Sequence, residues 1–540
     1  MTTPPSDLTF LKTKGTHIVN ESGDPVLLRG VNLGNWFLPE GYMWKFPHEL
    51  SSAKKMEALF TRLIGPDKAH NFWKTFFDRY TQENDIRQIA AEGYNSIRLP
   101  LNYRLFMDDD GNFIEANLQR IDHFLDLCEK HRLYVIIDLH AAPGGQTGTN
   151  IDDSDGFPHL FTDPQNEERS IAFWRGIAER YRDRAVVGGY DLLNEPLPQE
   201  HSKFNDALIA LYKKLTQAIR EVDSQHIIIV ECAHWATNFR IFTEKWDDNL
   251  VIQFHKYWNP TDYRYIRDYL NIRETLNVPL WMGESGENNL DWFASSFQML
   301  EDFDISWCFW PWKKMETFNN PCSIKMPEGW EKITQAAQGE CLLEAEEAER
   351  ILNQYLDNIL FENCDYRPEV VNAMMRRIPF RIPAEAYGMK GVGRSYFFKE
   401  KVTTHLNIRR EEGANLKFIN GNDAEYPSYK YKGKQHHLPE DSLCLTLQQG
   451  DWVTYEINAL GDTPASITAH LSALSKETHI ELWLNSEIPL TSTLNIDQTW
   501  QQQLLAAQVH IPHGKHCLKV IVKTGSISLD WIEFQERPRS

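Results

Sequence analysis

The sequence predicts an α/β chain: a (β/α)8 TIM barrel followed by an all-β, antiparallel, jelly-roll-like sandwich. Three observations predict it. Eight short apolar runs alternate with amphipathic stretches between residues 26 and 310. Those runs are continuous and β-branched rather than alternating, as in parallel strands covered on both faces. From about residue 380 the texture changes to short alternating strands separated by turn residues.

The eight runs are residues 26–31, 94–99, 134–139, 189–193, 227–230, 250–254, 280–282 and 305–309. Helical patterns at 116–132, 168–183, 202–223, 263–277 and 288–302 lie between them. Strand followed by helix, eight times over, is the barrel pattern. The gap from 31 to 94 is too long for one βα unit. Residues 34–77 read as an aromatic-rich insertion at the barrel mouth, with Trp36, Trp44 and Phe46 walling a cleft into a pocket. Residues 340–375 read as helical, and Pro379 and Pro383 interrupt that pattern. The sandwich strands are read at 443–447, 452–457, 467–471, 480–484, 516–522 and 526–534. The expected domains are 1–375 and 378–540.

Composition excludes several classes. The 56 Lys and Arg against 76 Asp and Glu leave a net charge of −20. That disfavours nucleic acid and anionic membrane surfaces, which need a basic face. No run of ~18 apolar residues is present to span a bilayer. The start, MTTPPSDLTFLKTKGTH, has no apolar h-region. The eight cysteines form no C-x-x-C pair, so neither a zinc framework nor a disulfide scaffold is expected. Together these give a cytoplasmic expectation, extracellular if the N-terminus was trimmed. Oligomeric state is left open.

In a barrel, functional groups cluster at the C-terminal strand ends. There the sequence places Arg98, His140, Asn194 with Glu195, His234 with Trp235, His255 with Tyr257, Glu284, and Trp310 with Trp312. Two carboxylates on one rim suit glycoside hydrolysis, one protonating the leaving oxygen and the other attacking or activating water. An arginine beside one Glu favours its ionised form, and a drier setting raises the other. Tryptophan faces suit the C–H faces of sugar rings.

The segments GVNLGNW (30–36), SIRLPLNY (96–103), IDLHAAPGGQ (137–146), DLLNEP (191–196), FHKYW (254–258), MGESG (282–286) and CFWPWKK (308–314) together resemble glycoside hydrolase family 5, of the clan of retaining barrel glycosidases. The resemblance implies Glu195 as general acid/base and Glu284 as nucleophile. It implies Arg98, His140, Asn194, His255, Tyr257 and Trp310 as the supporting set. Asn194 is then expected at the sugar 2-OH, Tyr257 at Glu284, His255 at Glu195, and His140 at sugar hydroxyls over a Trp310 floor. Trp36, Trp235, Trp258 and Trp312 are candidate stackers for further subsites, and His234 a rim candidate. No metal or cofactor is expected for catalysis. HAAPGGQTG (140–148) and the stretch from FWPWKK to MPEGWEKI (309–333) resemble the exo-acting β-glucosidases and β-glucanases of the family. With the 34–77 insertion, that implies a β-glucosidase or exo-β-1,3-glucanase type cleaving β-glucan or β-gluco-oligosaccharides. The alternatives are an endo-β-1,4-glucanase or other β-glycanase and, in another class, a non-catalytic glycan-binding protein.

In the C-terminal region RIPAEAYGMKGVG (381–393), GDWVTYEI (450–457) and GKHCLKVIVKTGSISLDWIEF (514–534) resemble a family 6-like carbohydrate-binding module. The resemblance implies a structural calcium at Glu385 and Asp530. Tyr426, Tyr429, Tyr431 and Trp452 are candidates for a sugar platform, although Trp452 and Trp483 are expected in the core. The triplet His510, His513 and His516 straddles a turn and is not read as a metal site.

Overall fold

The computed structural model describes residues 8–429, 431, 435–485, 488–494 and 498–537; for 488–494 it describes the backbone alone. Contacts divide the chain into two compact units. One holds the chain up to Lys256, Tyr269–Gly286 and Ser306–Tyr366; the other holds Tyr257–Asp268, Glu287–Ile305 and the chain from Arg367 on.

The first unit is built on a closed barrel of eight parallel strands. They are β1 (Arg29–Asn32), β2 (Ser96–Asn102), β3 (Tyr134–Ala141), β4 (Val187–Asp191), β5 (Ile227–Glu231), β6 (Leu250–His255), β7 (Leu280–Glu284) and β8 (Ser306–Phe309). Trp307 of β8 pairs with Arg29 of β1 and closes the ring. Almost every strand residue is buried, which explains the continuous apolar runs in the sequence. An N-terminal hairpin, Lys12–Lys14 with His17–Val19, brings Leu11 and Ile18 to a buried cluster with Leu28, Tyr134, Ile136, Ile229 and Trp281.

Side chains two apart on a strand share a face. That spacing lines up Asp138 with His140, and Gln253 with His255. Register then sets Glu231 opposite Gln253 and His255 beside Glu284. The polar residues inside these apolar strands therefore converge at one end of the barrel.

The insertion after β1 is mainly helical, at Ala53–Ile64 and Pro66–Arg79. Its aromatics form a core of their own. Trp44 is fully buried against Phe76, Trp330 and Tyr355, and Phe46 packs on Phe60 and Trp330. The expected cleft wall of Trp44 and Phe46 is thus corrected: burying these rings in a helical subdomain removes more apolar area from water than lining an open mouth.

The second unit contains two antiparallel sheets. One has the strand order Asn415–Phe418, Leu443–Gln448, Ser526–Glu536, Thr463–Ala473 and Gln501–Ile511, with Phe380–Pro383 pairing Ser526–Glu536. The other runs Tyr396–Phe397, Trp452–Ala459, Gly514–Thr524, Thr478–Leu484 and Ile488–Leu494. The helix Leu290–Asp302, which the chain reaches between β7 and β8, belongs to this unit. Buried Arg376 donates from Nε to the Ala294 carbonyl at 2.7 Å, and Gln298 donates to Glu456 at 3.0 Å. Trp452 and Trp483 are only half-buried on outward strand positions. The Lys519 ammonium lies 3.8 Å from the Trp452 ring centroid. The expectation of core positions for these two tryptophans is corrected accordingly: on alternating strands they take the outward phase.

Candidate active site

Arg98 organises the barrel end. Fully buried on β2, it donates from Nε to Asp191 (2.8 Å) and from Nη1 to Glu284 (2.5 Å) and Asn32 (3.2 Å). Its Nη2 serves Asn194 and Glu231, both at 2.9 Å, and lies 3.1 Å from Asp138. Asp138, Asp191 and Glu231 have the mutual spacing of a metal site, and the guanidinium lies among all three. Burial pushes the Asp138 and Asp191 carboxyls well up, since one cation cannot offset the desolvation of every acid around it. Glu231 goes the other way. Burial opposes ionisation there too, but His255, Arg98 and the Glu195 N–H bring its carboxyl below the usual range.

Glu195 and Glu284 meet as the sequence expected. One carboxylate oxygen from each and a His255 ring nitrogen all lie within 4.8 Å of one another. His255 Nδ1 lies 2.7 Å from Glu195 and 3.6 Å from Glu284, and Nε2 is 3.5 Å from Glu231. Burial alone would neutralise this imidazole; the carboxylates of Glu231, Glu284 and Glu195 raise its pKa well above the ordinary histidine range. The dry carboxylate is not the one expected. The Glu195 side chain keeps 16% of its exposure and Glu284 only 5%. Burial lifts Glu284 above the usual range, with His255 and Arg98 pulling against it. Thus Arg98 contacts Glu284 as expected, and the same carboxylate is also the desolvated one.

His140 is buried and held neutral, its pKa lowered to about 4 by desolvation. Its Nδ1 lies 2.7 Å from Asp138 and its Nε2 3.2 Å from the Asn194 amide nitrogen. A neutral ring satisfies both contacts by donating from Nδ1 and accepting at Nε2. Both nitrogens are thus taken up in orienting Asn194, rather than pointing at a sugar hydroxyl. Trp310 stacks on His140, with centroids 5.2 Å apart and planes 3° from parallel. Its indole N–H donates to the Tyr42 hydroxyl at 2.9 Å. A Cβ on Gly34 would sit 2.7 Å from the Trp310 ring, so only glycine leaves room for it.

Glu195 has a left-handed backbone (φ 41°), as do Leu197 (56°), His234 (57°) and Trp235 (59°). Such backbone costs roughly 1–3 kcal/mol per residue and collects at functional sites. His234 and Trp235 lie on the turn after β5, half-buried, with the His234 N–H donating to the Leu197 carbonyl.

Two sequence candidates are packing residues instead. Trp36 is buried on Phe37 and Phe124 and donates to the Phe77 carbonyl. Trp312 is buried, stacks on Phe361 and donates to Asp85. Each indole N–H already has a protein acceptor and each ring a protein face. Tyr257 and Trp258 fall in the second unit. There Trp258 is 68% exposed and the Tyr257 carbonyl accepts from Asn288.

The sequence reading missed Asn32, Asp138, Asp191, Glu231 and Gln253. Asp138, Asp191 and Gln253 were visible as polar residues inside an apolar strand run, and Asn32 and Glu231 stand immediately after one.

Residues 60–316 match the cellulase model of glycosyl hydrolase family 5. The chain carries a family 5 glycosyl hydrolase domain. Residues 428–536 match a carbohydrate binding module of family 6. The chain is 31% identical over 255 residues to "Beta-xylosidase" of Phanerodontia chrysosporium, covering 46% of this chain and 52% of that protein. It is 26% identical over 314 residues to "Endoglucanase C" of Acetivibrio thermocellus, covering 45% and 88%. It is 29% identical over 249 residues to "Glucan 1,3-beta-glucosidase" of Schwanniomyces occidentalis, covering 43% and 56%. The chain thus spans about half the length of the first and third of these relatives.

The calcium implied for the family 6 module can be tested against its donors. Glu385 is buried, and its Oε2 has no hydrogen-bond partner. Burial raises its pKa to about 8. An unmatched carboxylate oxygen fits a cation. Asp530 Oδ2 is 2.7 Å from His470 Nδ1, so that oxygen is shared with a histidine while Glu385 Oε2 is unmatched. Of the expected platform, Tyr429 is buried and Tyr426 exposed, while Tyr431 keeps an intermediate exposure.

Proposed function

We propose that the chain is a retaining glycoside hydrolase cleaving β-glucosidic bonds of β-glucan or β-gluco-oligosaccharides. The observation that carries this reading is the approach of Glu195 and Glu284, whose closest oxygens lie within 4.8 Å. Retaining pairs stand ~5–5.5 Å apart, and inverting pairs, which must admit a water, ~6.5–9.5 Å. Glu284, gripped by Arg98, attacks the anomeric carbon as Glu195 gives its proton to the departing oxygen. The glycosyl–Glu284 ester forms and the glycosidic C–O bond breaks. Glu195 then takes a proton from water, which attacks the same carbon and releases Glu284. Asn194, oriented by Arg98 and His140, keeps an amide N–H for the sugar hydroxyl next to the anomeric centre. Trp310 forms the floor.

For specificity we favour exo action on β-glucans. A relative named for glucan 1,3-β-glucosidase activity and the large insertion that brings Tyr42 to Trp310 support it. The relative named endoglucanase supports the endo alternative. For the sandwich we propose glycan binding, with calcium, where bound, held by Glu385 and Asp530.

The test is chemical rescue. Glu284→Ala loses turnover of aryl β-glucosides by ~10⁴-fold or more, and azide restores it with an inverted glycosyl azide. Full activity in Glu284→Ala or Glu195→Ala removes the reading. Sizing the products from β-1,3, β-1,4 and β-1,6 gluco-oligosaccharides then separates release from chain ends from a ladder.

A further inference from the structure

We propose that Glu231, at the end of β5, is a positioning residue that aims the proton of Glu195 at the leaving group. The inference rests on the retaining-hydrolase reading and extends it to a residue outside the reacting pair.

Glu231 is fully buried, and both its oxygens are committed. Oε2 accepts the backbone N–H of Glu195 at 2.7 Å and lies 3.5 Å from His255 Nε2. Oε1 accepts from Arg98 Nη2 at 2.9 Å and Gln253 Nε2 at 2.5 Å. Glu231 therefore holds Glu195 at two points. One is the main chain, at the residue whose left-handed φ needs an external restraint. The other runs through His255, whose opposite nitrogen lies 2.7 Å from the Glu195 carboxylate. The anchor is firm, because the Tyr212 hydroxyl donates to the Glu231 carbonyl at 3.0 Å.

The two reacting carboxylates depend on Glu231 unequally. Glu284 is tied to it through Arg98 and, at 3.6 Å, through His255. Arg98 keeps its contacts with Asp138 and Asp191 when Glu231 changes, whereas the main-chain restraint on Glu195 comes from Glu231 itself. The nucleophile therefore stays in place while the acid loses its restraint. A plain charge partner for Arg98 would disturb Glu284 at least as much as Glu195. The two roles thus predict different dependence on the leaving group.

Glu231→Gln and Glu231→Asp would be assayed on a series of aryl β-glucosides running from dinitrophenyl, which departs unprotonated, to alkyl-substituted phenols, which need the proton. kcat/KM reports the glycosylation step. Both variants are expected to lose on the order of 10–100-fold with the poorest leaving groups, a share of the ~10²–10⁴ that general acid catalysis supplies. With dinitrophenyl glucoside the loss stays under about threefold, so the dependence on leaving-group pKa steepens. A loss equal across the series, or none anywhere, overturns the proposal. If Glu231→Gln does not fold, Glu231→Asp carries the same comparison, since it keeps the charge beside Arg98 and shortens only the reach. Failure of the parent reading is separate: it shows as undiminished turnover in Glu284→Ala with any leaving group.

Discussion

At the barrel end four carboxylates surround one guanidinium, and an imidazolium lies among three carboxylates, two of them shared with the guanidinium. In the sandwich Glu385 is buried with one oxygen unmatched. Both regions desolvate acids, but the first sets its cations in direct contact with several of them, while at Glu385 the pull of Arg381 is the smallest of the influences and burial the largest. Sharing lets neighbouring acids differ: Glu231 is held ionised while Asp138 and Asp191 are pushed towards their protonated forms. Burial beside Asp291 and Asp530 with only weak help from Arg381 leaves Glu385 two favourable states, protonated or bound to a cation. The lesson is that burial alone makes an acid inert, and burial within a charge network makes it adjustable.

The strongest way to break this contrast is to remove the shared cation. Arg98→Met leaves four acids buried without it. Breaking a buried pair from one side costs ~3–5 kcal/mol, so chemical denaturation should show a loss of that size or no folded barrel. A change under 1 kcal/mol would mean the acids are not held by the guanidinium.

The second test is pH, and one group in each region should contribute with opposite sign. His140 has its folded pKa lowered to about 4. Between about pH 6.5 and 4 the unfolded chain binds a proton that the folded barrel does not, so this group's contribution is complete above 6.5 and lost as pH falls, by about 3 kcal/mol. Glu385 is raised to about 8. Between about pH 4.5 and 8 the unfolded chain has released a proton that the folded sandwich retains, so stability falls as pH rises. Hydrogen exchange followed separately in the two regions reads both slopes. Relative to the parent protein, His140→Gln should remove the first contribution and Glu385→Gln the second. Calcium should flatten the second at pH 8 if Glu385 binds it, and a slope indifferent to calcium removes the ion from that site.

The smallest test sharpens the geometry. Gly34→Ala puts a methyl into the Trp310 ring, at a cost of about 1–3 kcal/mol, and should raise KM for glucosides. Gly23→Ala meets no atom within 4 Å and serves as the control: there, only its positive φ of 84° is strained.

Much of this was legible in the sequence. The eight strands show as eight apolar runs because parallel strands covered on both faces have no polar phase. His255 and Glu284 end their strands and Glu195 follows one, which is where a barrel gathers its chemistry; Arg98 reaches them from within β2. Glu231 and Asp191 also end strands, but Asp191 lies inside its apolar run and Glu231 directly abuts one. Nothing local distinguishes an inward acid with an arginine waiting from one that faces a helix. Trp36 and Trp312 misled because ring identity says nothing about which neighbour will cover the ring. Tyr42 was hidden for a related reason: its partner Trp310 is 268 positions away.

The helix Leu290–Asp302 has a consequence for anyone recombining this protein. Its backbone accepts from Arg376 and its side chain donates to Glu456, yet the strands that flank it in the chain complete the barrel. A cut at a single point cannot separate the two halves of the gene product cleanly. Grafting another C-terminal module onto residues 1–375 would strip that helix of its bonds to Arg376 and Glu456, so a successful chimera must supply replacements for both.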